Sequence, residues 1–197
     1  ERVVANTVGV ANAVVDRDIE TLEDLISPVI ANAKVIDSII VVDAQGKEVL
    51  RFIREASGSN VLVETTTNSG LDLSGWPSVQ QVLSNAEGNK ETQLATDLDT
   101  GELIIYTVGP IRTTEGVVGA ALVGTRLTNE LNILQSLALA QLTLFDSNGR
   151  VLATTFALNP AERAQVFANF TAERFEQVIA NRKITLLDEV ELPVDIS

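Results

Sequence analysis

The same β-hairpin pattern occurs twice in the sequence, and the fold of this chain has to accommodate both copies. In the first copy, the apolar run Ile39–Val42 leads into Asp43, a turn around Gly46 and a second apolar run. In the second copy, Asp146 and Gly149 lie 103 residues after their counterparts (43 to 146, and 46 to 149). Such an aspartate can bond its own turn backbone, and such a glycine supplies a positive φ. The repeat therefore predicts two tandem modules of one kind.

Before the first hairpin, apolar residues recur at steps of three or four and draw one stripe along a helix. This spacing predicts a single continuous helix over about residues 2–26, a kink at Pro28 and a short helix to about residue 33. Two roles remain open for the helix, which either packs on its own domain or pairs with its twin in a homodimer as a signalling helix. The stripe consists of Val4, Val8, Ala11, Val15, Ile19, Leu22, Ile26, Val29 and Ala33.

The region from residue 36 to 138 predicts one complete α+β module, preceded by the helical segment 1–35. It combines an antiparallel sheet of five strands with helices on one side. A ligand in such a fold would lie between the sheet and an irregular excursion over residues 56–75, which is rich in Ser, Thr, Asn and Gly. The predicted elements are a hairpin over 38–52, a helix over 76–83, strands near 91–96, 102–110 and 116–125, and a helix over 128–137.

The region from residue 139 to 197 predicts a second, incomplete module of the same kind. Its hairpin resembles the first one, with Glu48 read as one extra residue in the first copy. Asn159, followed by Pro160 and Glu162, is typical of a helix start. Helices are predicted over about 160–169 and 171–181, and a weak strand over 183–192, which leaves the second sheet short of strands.

Composition excludes several classes of function. The chain of 197 residues has a formal net charge of −13, which repels nucleic-acid phosphates, so no nucleic-acid partner is expected. It contains no His, Cys or Met, so thiol catalysis and the usual transition-metal ligands are absent. No apolar run is long enough to span a membrane. We expect a fragment whose membrane anchor lies outside it.

The order of the elements resembles the double Cache family of extracytoplasmic sensors, in which a long helix leads into a membrane-distal and then a membrane-proximal PAS-like module. The resemblance implies a small-molecule sensor, not an enzyme, at the cell membrane and facing the periplasm or extracellular space. It would belong to a chemoreceptor, a sensor histidine kinase or a cyclic-nucleotide enzyme. The matching segments are Ile39–Leu50, Trp76–Pro77, Asp99–Ile105, Gly109–Ala120 and Leu142–Leu152.

Four residues are candidates for ligand binding, namely Trp76, Tyr106, Arg51 and Arg112. The aromatic residues could line a pocket and the arginines could hold an anionic group; the alternatives are core packing for Trp76 and solvated surface for the arginines. The amino-acid-sensing branch of the family that this chain resembles carries an Arg-x-Trp-Tyr pattern and a later Asp. Here the pattern reads Ser74 to Pro77, and Ala121 stands in place of the Asp. We therefore expect a neutral or weakly anionic small molecule.

Other functions stay open as alternatives. A structural or dimerisation module of a membrane receptor with no small-molecule ligand is the main one, and a secreted glycan-acting enzyme is another. Alternating acidic residues over 97–102 lack the spacing of a calcium loop, so this segment predicts a turn. No cofactor and no metal site are expected.

Overall fold

The computed structural model describes residues 2–33, 35–54, 63–66, 69–85, 89–97, 101–146, 148–157, 159, 161–162, 167, 173, 176 and 180. The chain divides into two compact units, Glu1–Asn129 and Glu130–Ser197. Each unit contains its own antiparallel sheet, which confirms the predicted α+β fold class. The three-part assignment of segments 1–35, 36–138 and 139–197 stays a prediction.

The sheet of the first unit has six antiparallel strands in the order β3-β2-β1-β6-β5-β4. The prediction of five strands missed β3, which lies inside the excursion and pairs with β2. The helices α4 and α5 and the other strands occur close to where the sequence predicts them. The elements are β1 (Ser38–Asp43), β2 (Glu48–Arg54), β3 (Val63–Thr66), α4 (Pro77–Ser84), β4 (Glu91–Thr96), β5 (Leu103–Thr113), β6 (Gly116–Arg126) and α5 (Leu127–Ala138).

Strand β1 lies between β2 and β6 and is buried along its whole length. Ile39 and Val41 pack into one core cluster with the N-terminal helices, whereas Ile40 and Val42 pack into a second cluster with α4. Successive side chains of a strand point to opposite faces, so the continuous β-branched run requires cover on both faces. The sheet therefore has a helical face and an α4 face.

The N-terminal region covers the helical face, but the predicted continuous helix over residues 2–26 is wrong. Three helices occur there: α1 (Arg2–Ala5), α2 (Val10–Asp16) and α3 (Ile19–Asn32). Gly9, with φ 99°, and Arg17, with φ 52°, both adopt left-handed backbone conformations between helices. Arg17 ends α2, as residues in this conformation commonly do, and Gly9 directly precedes the first residue of α2. The apolar stripe indicated burial only in part, since Val4, Leu22 and Ile26 are buried but Val8 and Val15 are 93% and 58% exposed.

Local interactions explain where α3 starts and how it continues through Pro28. The Asp18 carboxylate accepts a hydrogen bond from the Thr21 amide at 3.1 Å and so caps the helix at its N-terminus. The separate short helix predicted after Pro28 is wrong, because α3 continues through this residue to Asn32, and the kink at Pro28 stays a prediction. Pro28 cannot donate to the carbonyl of Asp24, and both residues are exposed, so solvent can satisfy that carbonyl.

The second unit contains a two-stranded sheet of β7 (Thr143–Phe145) and β8 (Val151–Thr154). Asp146 Oδ1 accepts from the amides of Asn148 and Arg150 at 2.8 and 2.9 Å. Asp43 Oδ1 accepts from the amides of Gln45 and Lys47 at 2.9 and 3.0 Å. The two turns thus use the same hydrogen bonds, as the repeat predicts.

The register also corrects one detail of the repeat. In the first hairpin the pairing shifts between Val41 and Val42, whose partners are Leu50 and Glu48. In the second it shifts between Leu144 and Phe145, whose partners are Ala153 and Val151. Glu48 therefore corresponds to Val151, and neither copy has an extra residue. Both copies carry the same bulge.

Farther along the second unit, the predicted helix start at Asn159 has the expected cap. Asn159 Oδ1 accepts from the amides of Ala161 and Glu162, both at 3.0 Å, and the Glu162 carboxylate accepts from the Asn159 amide at 2.8 Å. The predicted strand over 183–192, and most of the helices predicted over 160–169 and 171–181, lie outside the described residues. Within the described part of the chain, no helix has the length and hydropathy needed to cross a bilayer.

The first turn offers a test of how the hairpin fixes its surroundings. Gly46 has φ 76°, and a Cβ added there would lie 2.8 Å from the Cα of Ser74. Gly70 has φ 80°, and a Cβ there would have no atom within 4 Å. We expect Gly70→Ala to cost about 1–2 kcal/mol of unfolding free energy, from backbone strain alone. Gly46→Ala should cost at least about 1 kcal/mol more, because Ser74 has to move. Urea denaturation of both variants measures the difference, and equal losses would contradict the close contact.

Candidate functional site

The α4 face of the sheet carries the candidate site. Residues 69–76, called the cover segment below, and α4 lie over this face. The cover segment is held to the first hairpin by backbone hydrogen bonds from Glu48 N to Leu71 O at 3.0 Å and from Leu73 N to Gly46 O at 2.9 Å. On the other side, the Ser78 hydroxyl donates to Gln93 Oε1 at 2.6 Å and ties α4 to β4. The predicted excursion thus covers the sheet where a ligand was expected.

The two predicted aromatic residues meet under this cover. The ring centroids of Trp76 and Tyr106 are 5.6 Å apart with 61° between the planes, an edge-to-face contact. Tyr106 is buried on β5 opposite Gly124 of β6. A Cβ at Gly124 would lie 2.7 Å from Cε1 of the Tyr106 ring. The absence of a side chain at Gly124 therefore makes room for the ring. The Tyr106 hydroxyl lies 3.5 Å from the Ser38 hydroxyl on β1.

Beside the aromatic pair lies a buried ion pair. Arg51 Nη2 and Asp97 Oδ2 are 3.3 Å apart, and the two side chains are 7% and 2% exposed. Arg51 belongs to β2 and Asp97 follows β4, and these strands lie on either side of the centre of the sheet. The pair therefore connects its two halves across the α4 face. Such a buried pair is costly to desolvate and depends strongly on both partners.

These residues enclose a cavity of about 20 Å³. A volume of this size holds about one water molecule, whereas small-molecule sites occupy roughly 300–1,000 Å³. In this conformation the site is therefore closed. Its lining consists of Ile40, Arg51, Leu71, Leu73, Trp76, Thr96, Asp97 and Tyr106.

Two acidic residues of this face were missed from the sequence. Asp97 was assigned to a turn, although it lies at the end of β4 and pairs with Arg51. Glu48 is 5% exposed, and its Oε2 accepts a hydrogen bond from the Ser69 hydroxyl of the cover segment. Among the described residues, Glu48 Oε1 has no hydrogen-bond partner. The available signal was a Glu and an Arg inside the otherwise apolar run of β2.

The fourth predicted residue, Arg112, lies elsewhere. It is exposed, and its Nη2 donates to the carbonyl of Asn85 at 3.3 Å. The structure therefore brings Arg51, Trp76 and Tyr106 together and leaves Arg112 outside the cavity. A larger groove of about 540 Å³ lies between α2 and the β5–β6 turn, is open to solvent and contains none of the four.

Comparison of the sequence with known protein families identifies the family to which this chain belongs. Residues 1–184 match the double Cache family described as the double sensory domain of two-component sensor kinases. The chain belongs to this family. The resemblance predicted from the order of the elements is confirmed, and the chain is a sensory domain in signal transduction. The described role of the family is sensory rather than catalytic.

Solved structures share the fold of this double Cache domain at low identity. A domain of a sensory box/GGDEF family protein from Vibrio parahaemolyticus has a TM-score of 0.68 and 14% identity, over 90% of this chain and 73% of that chain. The extracellular domain of the histidine kinase vpHK1S-Z8 has a TM-score of 0.61 and 15% identity, over 90% and 69%. The ligand-binding domain of the Campylobacter jejuni chemoreceptor Tlp3, in complex with L-norvaline, has a TM-score of 0.51 and 17% identity, over 85% and 63%. Comparison with curated protein sequences gives no match.

The burial of the ion pair can be tested against a pair whose arginine is exposed. Arg17 also bonds an aspartate, Asp43, but the Arg17 side chain is 58% exposed, and the Asp43 carboxylate keeps the amides of Gln45 and Lys47 as partners without it. Arg51→Met leaves the Asp97 carboxylate buried beside an apolar group, so we expect a loss of about 3–5 kcal/mol in unfolding free energy. The control Arg17→Met should lose less than about 1 kcal/mol. Chemical denaturation measures both, and a loss at Arg51 as small as that at Arg17 would contradict a buried pair.

Proposed function

We propose that this double Cache domain is the extracytoplasmic small-molecule sensor of a transmembrane receptor, and that the ligand binds between the α4 face and the cover segment. The observation that carries the proposal is the convergence of Arg51, Asp97, Trp76 and Tyr106 around one closed cavity. Buried charges are costly in a module that only needs to fold. Aromatic faces with a few convergent polar groups are typical of small-molecule sites.

The charges around the cavity indicate the class of ligand. Arg51 and Asp97 balance each other, and Glu48 adds a second buried carboxylate on the same face. An anionic ligand would add a further negative charge to this face without a matching cation. A neutral polar or zwitterionic molecule could replace the ion pair by offering an acceptor to Arg51 and a donor to Asp97. The arrangement therefore favours such ligands over the weakly anionic ones that the sequence also allowed.

Binding requires the site to open, because the cavity of about 20 Å³ admits no organic molecule. The cover segment is the part that has to move, since it forms one wall through Leu71, Leu73 and Trp76. Two backbone hydrogen bonds and the Ser69–Glu48 bond hold it to the first hairpin, and both the amide and the hydroxyl of Ser78 tie α4 to Gln93 of β4. A ligand that binds the open form better than the closed form shifts the population toward it.

The receptor context is part of the same proposal. The sensory-kinase description of the family and the extracellular title of one structural neighbour support a domain outside the cytoplasm, attached to the membrane by other segments. We propose a homodimer through the N-terminal helices, because Val8 and Val15 in this region are 93% and 58% exposed. The domain would act by binding and not by catalysis, with a histidine kinase as the favoured output.

A second candidate function is favoured by the small cavity itself. A receptor module without a small-molecule ligand, acting in structure or dimerisation, would have a permanently closed α4 face. The two candidates differ in their response to metabolites. The sensor should be stabilised by a metabolite in a way that depends on the cavity residues, whereas the module without a ligand should not be stabilised.

A thermal-shift screen of neutral and zwitterionic metabolites tests the proposal. At a hundredfold excess over Kd, a ligand should stabilise the domain by about 2.7 kcal/mol, which raises Tm by about 5–10 °C for a chain of this size. The shift should disappear in Trp76→Ala and Tyr106→Ala, which remove the aromatic walls.

Arg112→Ala is the matched control, because this arginine lies outside the cavity and should leave the shift intact. A hit that keeps its full shift in both aromatic variants would place the ligand elsewhere. A broad screen with no hit would favour the module without a ligand.

A further inference from the structure

We infer that a cluster of buried polar residues, here called the junction, couples the cavity to the start of α5, with Asp37 as its central residue. The junction consists of Asp37, Arg54, Arg126 and Asn129. This inference rests on the proposed function, since it assigns the residues through which ligand binding at that same site would affect α5. Asp37 and Arg126 are only 3% and 6% exposed, and the cavity residues do not include them.

Asp37 joins the end of β6 to the beginning of α5. Its carboxylate accepts from the Arg126 amide at 2.8 Å, from Arg126 Nη1 at 2.9 Å and from Asn129 Nδ2 at 3.0 and 3.1 Å. Arg126 immediately precedes α5 and Asn129 lies in its first turn. A carboxylate at this end of a helix caps free amides and is stabilised by the helix dipole. Asp37 therefore fixes where α5 begins.

The same cluster holds the end of α3. Arg54, at the end of β2, donates to the carbonyls of Ile30, Ala33 and Ile36. The carbonyl of Arg54 in turn accepts from Arg126 Nη2 at 2.6 Å. Basic side chains commonly satisfy the free carbonyls at a helix C-terminus. The last turn of α3 and the first turn of α5 are thus bonded through two neighbouring arginines.

A short physical path connects the junction to the cavity. The Tyr106 ring lies against Gly124, where a Cβ would come within 2.7 Å of it. The carbonyl of Gly124 accepts from the Asp37 amide at 2.9 Å. Ser38, which follows Asp37 in the chain, lies 3.5 Å from the Tyr106 hydroxyl. Any displacement of the Tyr106 ring therefore acts on Gly124 and on the Asp37–Ser38 backbone.

The chemistry of the junction makes it sensitive to such a displacement. A buried charged network stabilises the fold only while its members keep their partners. If the Asp37 carboxylate shifts, the Arg126 amide and Asn129 lose their acceptor together. Because a closely packed interior cannot deform continuously, a small shift of this kind moves the side chains from one discrete arrangement to another. Opening of the cavity would therefore loosen the first turn of α5.

Amide hydrogen exchange on the domain, without any ligand, tests the coupling. Gly124→Ala displaces the Tyr106 ring and also the Ile104 side chain, because a Cβ there would lie 2.7 Å from each. Tyr106→Leu removes the ring and leaves Ile104 in place, so an effect through the ring has to occur in both variants. In both variants, we expect the Arg126 amide and the amides of residues 131–134 to exchange about tenfold faster or more, the effect of losing a hydrogen bond to a charged group. Val79→Ala is the control, because it weakens the core under α4 away from Gly124, and it should accelerate these amides only as much as global unfolding does.

A second substitution separates coupling from mere structural support. In an Asn129→Ala background, Gly124→Ala should still accelerate the Arg126 amide, but its additional effect on residues 131–134 should disappear. In an Asp37→Asn background, Gly124→Ala should have no additional effect at either place. Effects that simply multiply in the double variants would overturn the coupling, as would unchanged exchange at Arg126 in both ring variants. Since no ligand is used, either result leaves the test of ligand binding independent.

Discussion

Burial of β1 on both faces is the constraint from which the rest of the first unit follows. A strand of consecutive β-branched residues cannot face water on either side, so the chain has to provide two covers. The N-terminal helices supply one, and α4 with the cover segment supplies the other. The first cover packs apolar side chains on the sheet, with polar contacts at its margins where Arg17 bonds Asp43 and Arg54 bonds the end of α3. The second also buries polar and charged side chains, which is why the candidate site lies there.

The N-terminal region shows what sequence periodicity can and cannot predict. The stripe from Val4 to Ala33 only partly indicated which residues are buried. A spacing of three or four residues survives in several short helices as well as in one long helix, but the breaks between the helices shift it, so Val8 and Val15 are exposed while Val10 and Val14 are buried. Gly9 was a visible signal for a break. Arg17 was not, since an arginine with positive φ is uncommon and is held here by the packing of the helices and its bond to Asp43. The hairpins were predicted more accurately, because their Asp and Gly residues act locally.

For the site, the sequence predicted which residues take part more accurately than it predicted how they are arranged. Trp76 and Tyr106 meet as expected because the excursion folds back over β5. Arg51 reaches the cavity, but its charge is matched by Asp97, a pairing between distant strands that no local pattern reveals. Arg112 lies on the same strand as Tyr106 yet near its other end. The sheet order, which a single sequence does not encode locally, decides which charges meet.

The central claim is that the ligand binds beside Trp76, and the emission of this residue tests the claim directly because it is the only tryptophan in the chain. A metabolite shown by calorimetry to bind the domain should be titrated while Trp76 fluorescence is recorded. We expect a saturable change in emission with the calorimetric Kd, since the cover segment has to move and the Trp76–Tyr106 contact has to rearrange. A ligand that saturates the domain while the emission of Trp76 stays unchanged would contradict the account.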